Sequence, residues 1–158
     1  MVGIDDIKQV LMSQTLFSHS SEETFELGTN FGALLQENSI VCFFGDLGAG
    51  KTTFIKGLAA GIEIDPETVS SPTFTYLNIY SGKKILYHFD LYRLRDADEF
   101  LSMGFDEFFD AGGICCLEWS EKIATLIPEE ALIVNIVHLG GDKRKIEISH
   151  GAHGKISL

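Results

Sequence analysis

The sequence predicts an α/β fold in which a mixed, mostly parallel β-sheet carries helices on both faces and includes two β-hairpins. Strand-like and helix-like segments alternate along much of the chain, a pattern typical of parallel strands joined by crossover helices. Two strand-like segments, residues 39–44 and 114–119, are dominated by apolar side chains, as expected for strands covered on both faces. Two pairs of β-rich segments flank short turns and predict hairpins, which make the sheet mixed.

The first half of the chain predicts a helix, a strand, a glycine-rich loop and a second helix, in that order. The first helix is predicted over residues 20–35, because Ser20 and Glu23 have the spacing of a capping box and apolar residues follow on one side. The strand covers residues 39–44. The second helix is predicted over residues 51–60 and ends before a glycine.

The second half of the chain predicts the two hairpins, with short helices between them. The first hairpin turns at Ser81 and Gly82, and the second turns at residues 140–142. A proline at position 128 ends the last predicted helix. In chain order the predicted segments are strands 73–80 and 84–92, helix 96–103, a turn at 106–109, strand 114–119, helix 120–126, and strands 131–139 and 145–150.

The composition is that of an acidic globular protein. The chain has 158 residues, with 12 Lys and Arg against 23 Asp and Glu, for a formal net charge of −11. Because binding to a nucleic-acid backbone depends on clustered basic residues, we expect no direct binding to DNA or RNA. Action on a nucleic acid would therefore require a basic partner that holds the polymer.

Cysteine use and hydropathy indicate a reducing, aqueous environment. Cys42, Cys115 and Cys116 lie in apolar runs without metal-binding spacing, so we expect buried, reduced thiols. The longest apolar runs, such as residues 40–44, are far shorter than the ~20 residues that a membrane span requires. We therefore expect a soluble, cytoplasmic protein that does not interact with membranes.

The segment from residue 45 to residue 52 matches the phosphate-binding pattern G-x-x-x-x-G-K-[ST] at every position. Glycines allow successive backbone N–H groups to turn inward around a phosphate, and the helix that follows directs its positive end toward anions. An apolar strand before the motif and a helix after it are the context that the motif requires. The segment consists of Gly45, Asp46, Leu47, Gly48, Ala49, Gly50, Lys51 and Thr52.

This motif predicts a single P-loop NTPase-like domain over residues 1–158 and suggests roles for three side chains. Lys51 is expected to reach the β- and γ-phosphates, Thr52 to bind Mg²⁺ through its hydroxyl, and Thr53 to contact the α-phosphate. ATP is the expected nucleotide, because no N-K-x-D segment for guanine recognition follows the motif. The alternative is a glycine-rich connector without a ligand. Chance alone produces the motif in roughly one chain of this length in a few hundred, which disfavours that alternative.

Two carboxylates are candidates for anchoring Mg²⁺ and for positioning the attacking water. Asp90 lies near the end of an apolar-rich strand, where alternation places His88 and Asp90 on one face and Phe89 on the other. Glu118 ends a buried run, at the edge where ligands bind in open α/β sheets. The alternative for each acid is a solvated strand end. We expect Glu118 to contribute to the Mg²⁺ shell, with Asp90 either sharing that role or orienting the water, although the sequence does not rank the two.

Three further residues are candidates for a switch or a partner contact. Thr73 follows an S-S-P segment, and it either contacts the γ-phosphate or belongs to a plain loop-to-strand turn. Arg93 either faces a phosphate or forms a surface ion pair. Trp119 is either a core or rim aromatic residue or a partner contact.

Together these motifs resemble one family, the bacterial TsaE proteins, also called YjeE. The resemblance covers most of the chain. It rests on the P-loop, on S-P-T-F at residues 71–74, on H-x-D-x-Y-R at residues 88–93 and on L-E-W at residues 117–119. The P-loop is generic, whereas the H-x-D-x-Y-R and E-W elements in this order are specific to the family.

The resemblance implies a compact ATPase, weak when alone, that supports the synthesis of threonylcarbamoyladenosine in tRNA. It implies association with TsaD and TsaB proteins, of which TsaD transfers a threonylcarbamoyl group to adenosine 37, so that tRNA is contacted only through the complex. It also implies that Arg93 and Trp119 matter for activity or assembly. The residues that it implies for nucleotide and metal handling are Lys51, Thr52, Asp90 and Glu118.

Two other functions are compatible with a P-loop in this chain. A non-catalytic adaptor would bind nucleotide only to shape a docking surface, and it would show no partner-stimulated hydrolysis. A small-molecule kinase would need an acceptor pocket and an arginine-bearing lid. The chain has three arginines and no long insertion, which disfavours the kinase.

Overall fold

A computed structural model describes residues 14–46, 50–72 and 74–150. The strands are β1 (Gln14–Ser18), β2 (Ile40–Phe44), β3 (Leu77–Ser81), β4 (Ile85–Asp90), β5 (Ile114–Glu118), β6 (Leu132–Gly140) and β7 (Lys143–His150). The α-helices are α1 (Ser21–Leu34), α2 (Lys51–Gly61) and α3 (Ala97–Ser102), and 3₁₀ segments cover Pro66–Thr68, Phe105–Asp110 and Ser120–Leu126. Within these ranges no helix has the length and apolar character needed to cross a bilayer.

The seven strands form one sheet in the order β1-β7-β6-β2-β5-β4-β3. Strands β6, β2, β5 and β4 pair in parallel with their neighbours in the centre. The pairs β1–β7, β7–β6 and β4–β3 are antiparallel, so only β3 and β7 run against the other five strands. The predicted mixed, mostly parallel sheet with two hairpins is therefore confirmed, and β2, β4, β5 and β6 all end at the same edge.

Helices cover both faces of the sheet, as predicted. On one face, α1 and α2 bury an apolar cluster that includes Phe31, Phe54 and the β2 side chain Phe43. On the other face, α3 and the two later 3₁₀ segments pack over a second cluster that includes Phe89 and Phe100. Alternate strand side chains point to opposite faces, which is why each central strand contributes to both clusters.

The two long helices begin where the sequence predicts. The Ser20 hydroxyl accepts a hydrogen bond from the Glu23 N–H at 3.1 Å, and the Glu23 carboxylate accepts one from the His19 N–H at 2.7 Å. These bonds satisfy N–H groups near the start of α1 that have no partner within the helix. The second helix, α2, extends one residue beyond the predicted range, to Gly61.

The close contact between α1 and α2 depends on glycine. A Cβ atom at Gly28 would collide with the carbonyl oxygen of Phe54, and one at Gly57 would collide with that of Phe25. Only glycine lets the two backbones approach this closely. This contact fixes the position of α2, the helix that follows the P-loop, over the sheet.

The largest differences between the structure and the sequence prediction occur at three elements. Strand β3 begins at Leu77, not at residue 73, because residues 74–76 form a turn in which Tyr76 has a φ of +64°. Segment 120–126 is a 3₁₀ helix broken at Ile123, whose φ is −128°. Strand β1 was not predicted; it lies at the sheet edge, where its pairing with β7 defines it.

The three cysteines are buried, and we predict that the folded protein reacts slowly with thiol reagents. Burial raises the pKa of Cys42 to about 11 and that of Cys115 to about 12, and it raises the pKa of Cys116 well above its usual value. Because the thiolate is the reactive form, alkylation by iodoacetamide at pH 8 should require unfolding. Mass spectrometry with and without denaturant checks this, and rapid alkylation of the folded chain would contradict it.

Candidate functional site

A cavity of about 650 Å³ opens where the carboxyl ends of the parallel strands meet the start of α2. Ligands in open α/β sheets bind at this edge. The predicted site residues in its wall are Gly45, Asp46, Gly50, Lys51, Thr52, Thr53, Asp90, Glu118 and Trp119. Arg93 is not part of the wall. The predicted residues that lie outside the described ranges are Leu47, Gly48, Ala49 and Thr73.

The N-terminus of α2 faces this cavity. Gly50 is the N-cap residue, and among the residues that the structure describes no side chain forms a cap hydrogen bond to this helix. The φ of Gly50 is +103°, a left-handed conformation that glycine adopts without the cost that a Cβ atom would add. The first N–H groups of an α-helix have no carbonyl partner within the helix, and the helix dipole adds positive potential there. Gly50 to Thr53 therefore present a backbone suited to an anion.

Asp90 and Glu118 lie side by side on neighbouring strands. Strands β4 and β5 are parallel, and Asp90 is opposite Glu118 in their register. Both point to the sheet face covered by α2, because Leu86 and Cys116, which share their alternation, pack in the cluster under α1 and α2. Phe89 packs on the other face, as predicted. Asp90 is 8% exposed and Glu118 is 9% exposed, so neither is a solvated strand end.

A hydrogen bond and an ion pair hold the Glu118 carboxylate between two side chains. Its Oε2 atom lies 3.0 Å from His88 Nε2, and its Oε1 atom lies 3.9 Å from Lys51 Nζ. The Lys51 side chain is 16% exposed and that of Glu118 is 11% exposed, which limits screening of their attraction by water. Glu118 therefore lies beside the P-loop lysine.

The Asp90 carboxylate is held by the segment before β3 and by the chain after β4. Its Oδ2 atom accepts a hydrogen bond from the Ser71 hydroxyl at 3.0 Å. Its Oδ1 atom accepts one from the Tyr92 backbone N–H at 3.0 Å. Strand β5 lies between β4 and β2 in the sheet, so Asp90 is one strand further than Glu118 from the strand that leads into the P-loop.

The cavity wall carries more acidic than basic side chains. Within the described ranges its acids are Asp46, Asp90, Glu118 and Asp142, and its basic side chains are Lys51 and Arg144. Arg144 lies at the start of β7, where its guanidinium donates to the carbonyl oxygens of Gly141 and Lys143 at 3.0 and 3.1 Å. A polyanion in this cavity would therefore be favoured by an accompanying cation.

The aromatic side chain of Trp119 lines the cavity next to Lys51. The backbone of Trp119 has a φ of +62°, a conformation uncommon for a bulky residue, immediately after β5 ends. Its ring centroid lies 5.0 Å from that of Tyr92 and 6.0 Å from Lys51 Nζ. The Arg93 guanidinium lies 4.4 Å from the ring centroid of Phe74, which is 79% exposed. Arg93 therefore packs against an exposed aromatic ring, and neither residue lines the cavity.

Comparison with known proteins identifies the family to which this site belongs. The family model described as threonylcarbamoyl adenosine biosynthesis protein TsaE matches residues 18–146. The chain belongs to the TsaE family. The matched residues include the P-loop and both wall carboxylates, Asp90 and Glu118.

Several TsaE relatives align with most of the chain. The protein from Treponema pallidum is 41% identical over 132 residues, which cover 84% of this chain and 97% of that protein. The protein from Bacillus subtilis is 41% identical over 126 residues, covering 79% and 78% respectively. The protein from Haemophilus influenzae is 44% identical over 114 residues, covering 71% of each chain. All three are named tRNA threonylcarbamoyladenosine biosynthesis protein TsaE.

A solved structure shares this fold. The crystal structure of Bacillus subtilis YdiB superposes with a TM-score of 0.72 at 32% sequence identity. The match covers 87% of this chain and 85% of YdiB. It confirms the predicted α/β fold with its mixed sheet.

Several residues of this site were not predicted from the sequence. His88 had one available signal, because alternation placed it on the same strand face as Asp90. Arg144 and Asp142 carried no local signal, since the β6–β7 turn reaches the cavity only because β6 pairs with β2. The wall residues that were not predicted as site residues are Ser21, Thr24, Ser71, Asp142 and Arg144.

Proposed function

We propose that the chain is an accessory ATPase of tRNA threonylcarbamoyladenosine synthesis. It binds ATP with Mg²⁺ at the start of α2 and hydrolyses it slowly, in support of TsaD- and TsaB-like proteins. The observation that carries the proposal is the arrangement of Lys51, Asp90 and Glu118 around one cavity at a helix N-terminus. Membership of the TsaE family supports the same pathway.

The triphosphate is expected to lie against the first turn of α2. The N–H groups after Gly50 would donate to phosphate oxygens, and Thr53 would contact the α-phosphate. Lys51 would pair with the β- and γ-phosphates. Because the Lys51 side chain is largely buried, its attraction to a phosphate is screened less than that of a surface lysine.

Magnesium fits the donor atoms of this wall. Thr52 offers a hydroxyl, and Asp90 and Glu118 offer carboxylate oxygens, the hard oxygen ligands that Mg²⁺ prefers. Within the described ranges no group of three or more His, Cys, Asp and Glu side chains could hold a metal ion. In nucleotide sites Mg²⁺ is usually bound by one or two carboxylates together with substrate phosphates, so phosphate oxygens would supply further ligands. When bound, it would neutralise charge on the β- and γ-phosphates.

We assign the positioning of the attacking water to Glu118. Its Oε1 atom lies beside Lys51 Nζ, the group expected at the γ-phosphate, so the carboxylate is well placed to accept a hydrogen bond from that water. Asp90 lies one strand further from the P-loop strand and is assigned to the metal.

The tRNA is expected to be reached only through the partner proteins. The net charge of −11 opposes direct binding to a phosphate backbone. The named relatives act in tRNA threonylcarbamoyladenosine biosynthesis, and the TsaD- and TsaB-like proteins would supply the surface that holds the tRNA.

The test combines the chain with TsaD- and TsaB-like proteins, tRNA and a supplied threonylcarbamoyl donor, and follows ATP loss and modified adenosine together. We expect the partners to stimulate hydrolysis and repeated modification to require hydrolysable ATP. Equal modification with a non-hydrolysable ATP analogue would identify an adaptor instead. Release of ADP that depends on a metabolite, with a phosphorylated product, would identify a kinase.

Arg144 lines the cavity, and its guanidinium is expected to donate a charge-assisted hydrogen bond to a phosphate. Such a bond contributes about 1.5–3 kcal/mol, and partial exposure reduces this. Replacing Arg144 with alanine should therefore weaken ATP binding about tenfold. The neighbouring Lys143→Ala variant is the matched control, since Lys143 is exposed and is not part of the cavity wall. Isothermal titration calorimetry with ATP and Mg²⁺ measures both. Equal affinities for the two variants would exclude Arg144 from the nucleotide site.

A further inference from the structure

The side chain behind Glu118 is a buried histidine. His88 lies in the middle of β4 and is 3% exposed. Its Nε2 atom is 3.0 Å from Glu118 Oε2, across the parallel β4–β5 pair. The other oxygen of the same carboxylate lies 3.9 Å from Lys51 Nζ. One carboxylate oxygen of Glu118 is therefore hydrogen-bonded to His88, while the other lies near Lys51 at the cavity.

The direction of this hydrogen bond follows from its partners. A carboxylate only accepts hydrogen bonds, so Nε2 of His88 must carry the proton. The opposite ring nitrogen, Nδ1, is buried, and no group in the described part of the chain hydrogen-bonds to it. Among the residues that the structure describes, Glu118 is the hydrogen-bond partner of the His88 ring.

We propose that His88 is a positioning residue for Glu118, a role that rests on the proposed ATPase function. The Nε2–H group fixes Oε2 and so directs Oε1 toward the cavity. Without this bond the carboxylate is free to rotate about its last side-chain torsion, which has broad preferences. It would then spend less time in the orientation that holds the attacking water, while Lys51 and the helix N-terminus would still bind phosphate.

Two substitutions separate this role from simple core filling. His88→Met keeps a comparable apolar volume but cannot donate. His88→Gln places an amide N–H group within reach of the Nε2 position and preserves a donor. We expect His88→Met to lower kcat for partner-stimulated hydrolysis about tenfold, the lower end of the effect of groups that orient a site's direct ligands. We expect KM for ATP to stay within about twofold and His88→Gln to restore most of kcat.

A double-mutant cycle with Glu118→Gln tests whether His88 acts through Glu118. Under single-turnover conditions, His88→Met should cause little further loss when Glu118 is already replaced, since contacting residues are not additive. The positioning role is overturned if His88→Met keeps the wild-type kcat, if His88→Gln is as slow as His88→Met, or if the losses add in the double variant. A parallel loss of ATP affinity in His88→Met would also overturn it.

The hydrogen bond itself has a readout that does not depend on hydrolysis. In nitrogen-edited NMR of the wild-type chain, the His88 Nε2–H group should be protected from exchange, and its resonance should shift in Glu118→Ala. Absence of a protected signal overturns the proposal. If the signal is present but the wild-type chain with its partners does not hydrolyse ATP, the ATPase function fails and the positioning role fails with it, while the bond remains.

Discussion

Replacing Lys51 with alanine should weaken ATP binding by on the order of 100-fold. Truncating one partner of a buried charge pair costs about 2–5 kcal/mol, and each 1.4 kcal/mol is a factor of ten. This range applies to Lys51 because its side chain, at the start of α2, is largely buried, with 16% of it exposed. Its loss also leaves the Glu118 carboxylate without the ammonium that lies 3.9 Å away, so the site becomes more repulsive to phosphate.

Calorimetric titration with ATP and Mg²⁺ measures this loss. Lys56→Ala is the matched control, because Lys56 lies on the same helix and is not part of the cavity wall. We expect its affinity to match that of the wild-type chain, and we expect both variants to unfold at similar temperatures. An unchanged dissociation constant for Lys51→Ala would place the nucleotide elsewhere.

Replacing Glu118 with glutamine should slow ATP hydrolysis by about 100-fold or more while nucleotide binding is retained. General-base and water-positioning groups contribute about 10²–10⁴-fold to a rate. Glutamine keeps the volume of the side chain and an oxygen that accepts from His88 Nε2–H, so the fold around the buried histidine is preserved. Glu118→Ala would remove that acceptor as well and would confound catalysis with an unpaired buried group.

Partner-stimulated phosphate release measures the rate, and binding of a fluorescent ATP analogue measures affinity. Glu129→Gln makes the same chemical change at an exposed position before β6, at the opposite edge of the sheet, and should hydrolyse ATP normally. A wild-type turnover number in Glu118→Gln would remove Glu118 from the mechanism. Loss of ATP affinity with an unchanged turnover number would limit Glu118 to binding.

Taken together, the two variants separate binding from chemistry. Lys51 faces the expected phosphates from the helix side, whereas Glu118 approaches from the end of β5. A loss that appears mainly in affinity for one variant and mainly in rate for the other would support this division.

The sequence predicted the parts of the site that are contiguous in the chain. Eight consecutive residues specify the P-loop, and the strand before it and the helix after it have strong local signals, namely apolar β-formers and a helix start. The capping box at Ser20 and Glu23 could also be predicted, because its two hydrogen bonds join residues that are three or four positions apart in the sequence. Local spacing carries this information, so the strand, the helix and the cap were predicted correctly.

Only the tertiary structure decided which distant residues meet at the site. The pairing of β2 with β5 and β6 brings Glu118 beside Lys51 and the β6–β7 turn with Arg144 to the same cavity. The partner of Glu118 is likewise set by the β4–β5 register, which places His88 30 residues away within hydrogen-bond distance. Edge strand β1 exists through its pairing with β7. Strand order and register arise from long-range packing of apolar faces, which no short stretch of sequence encodes.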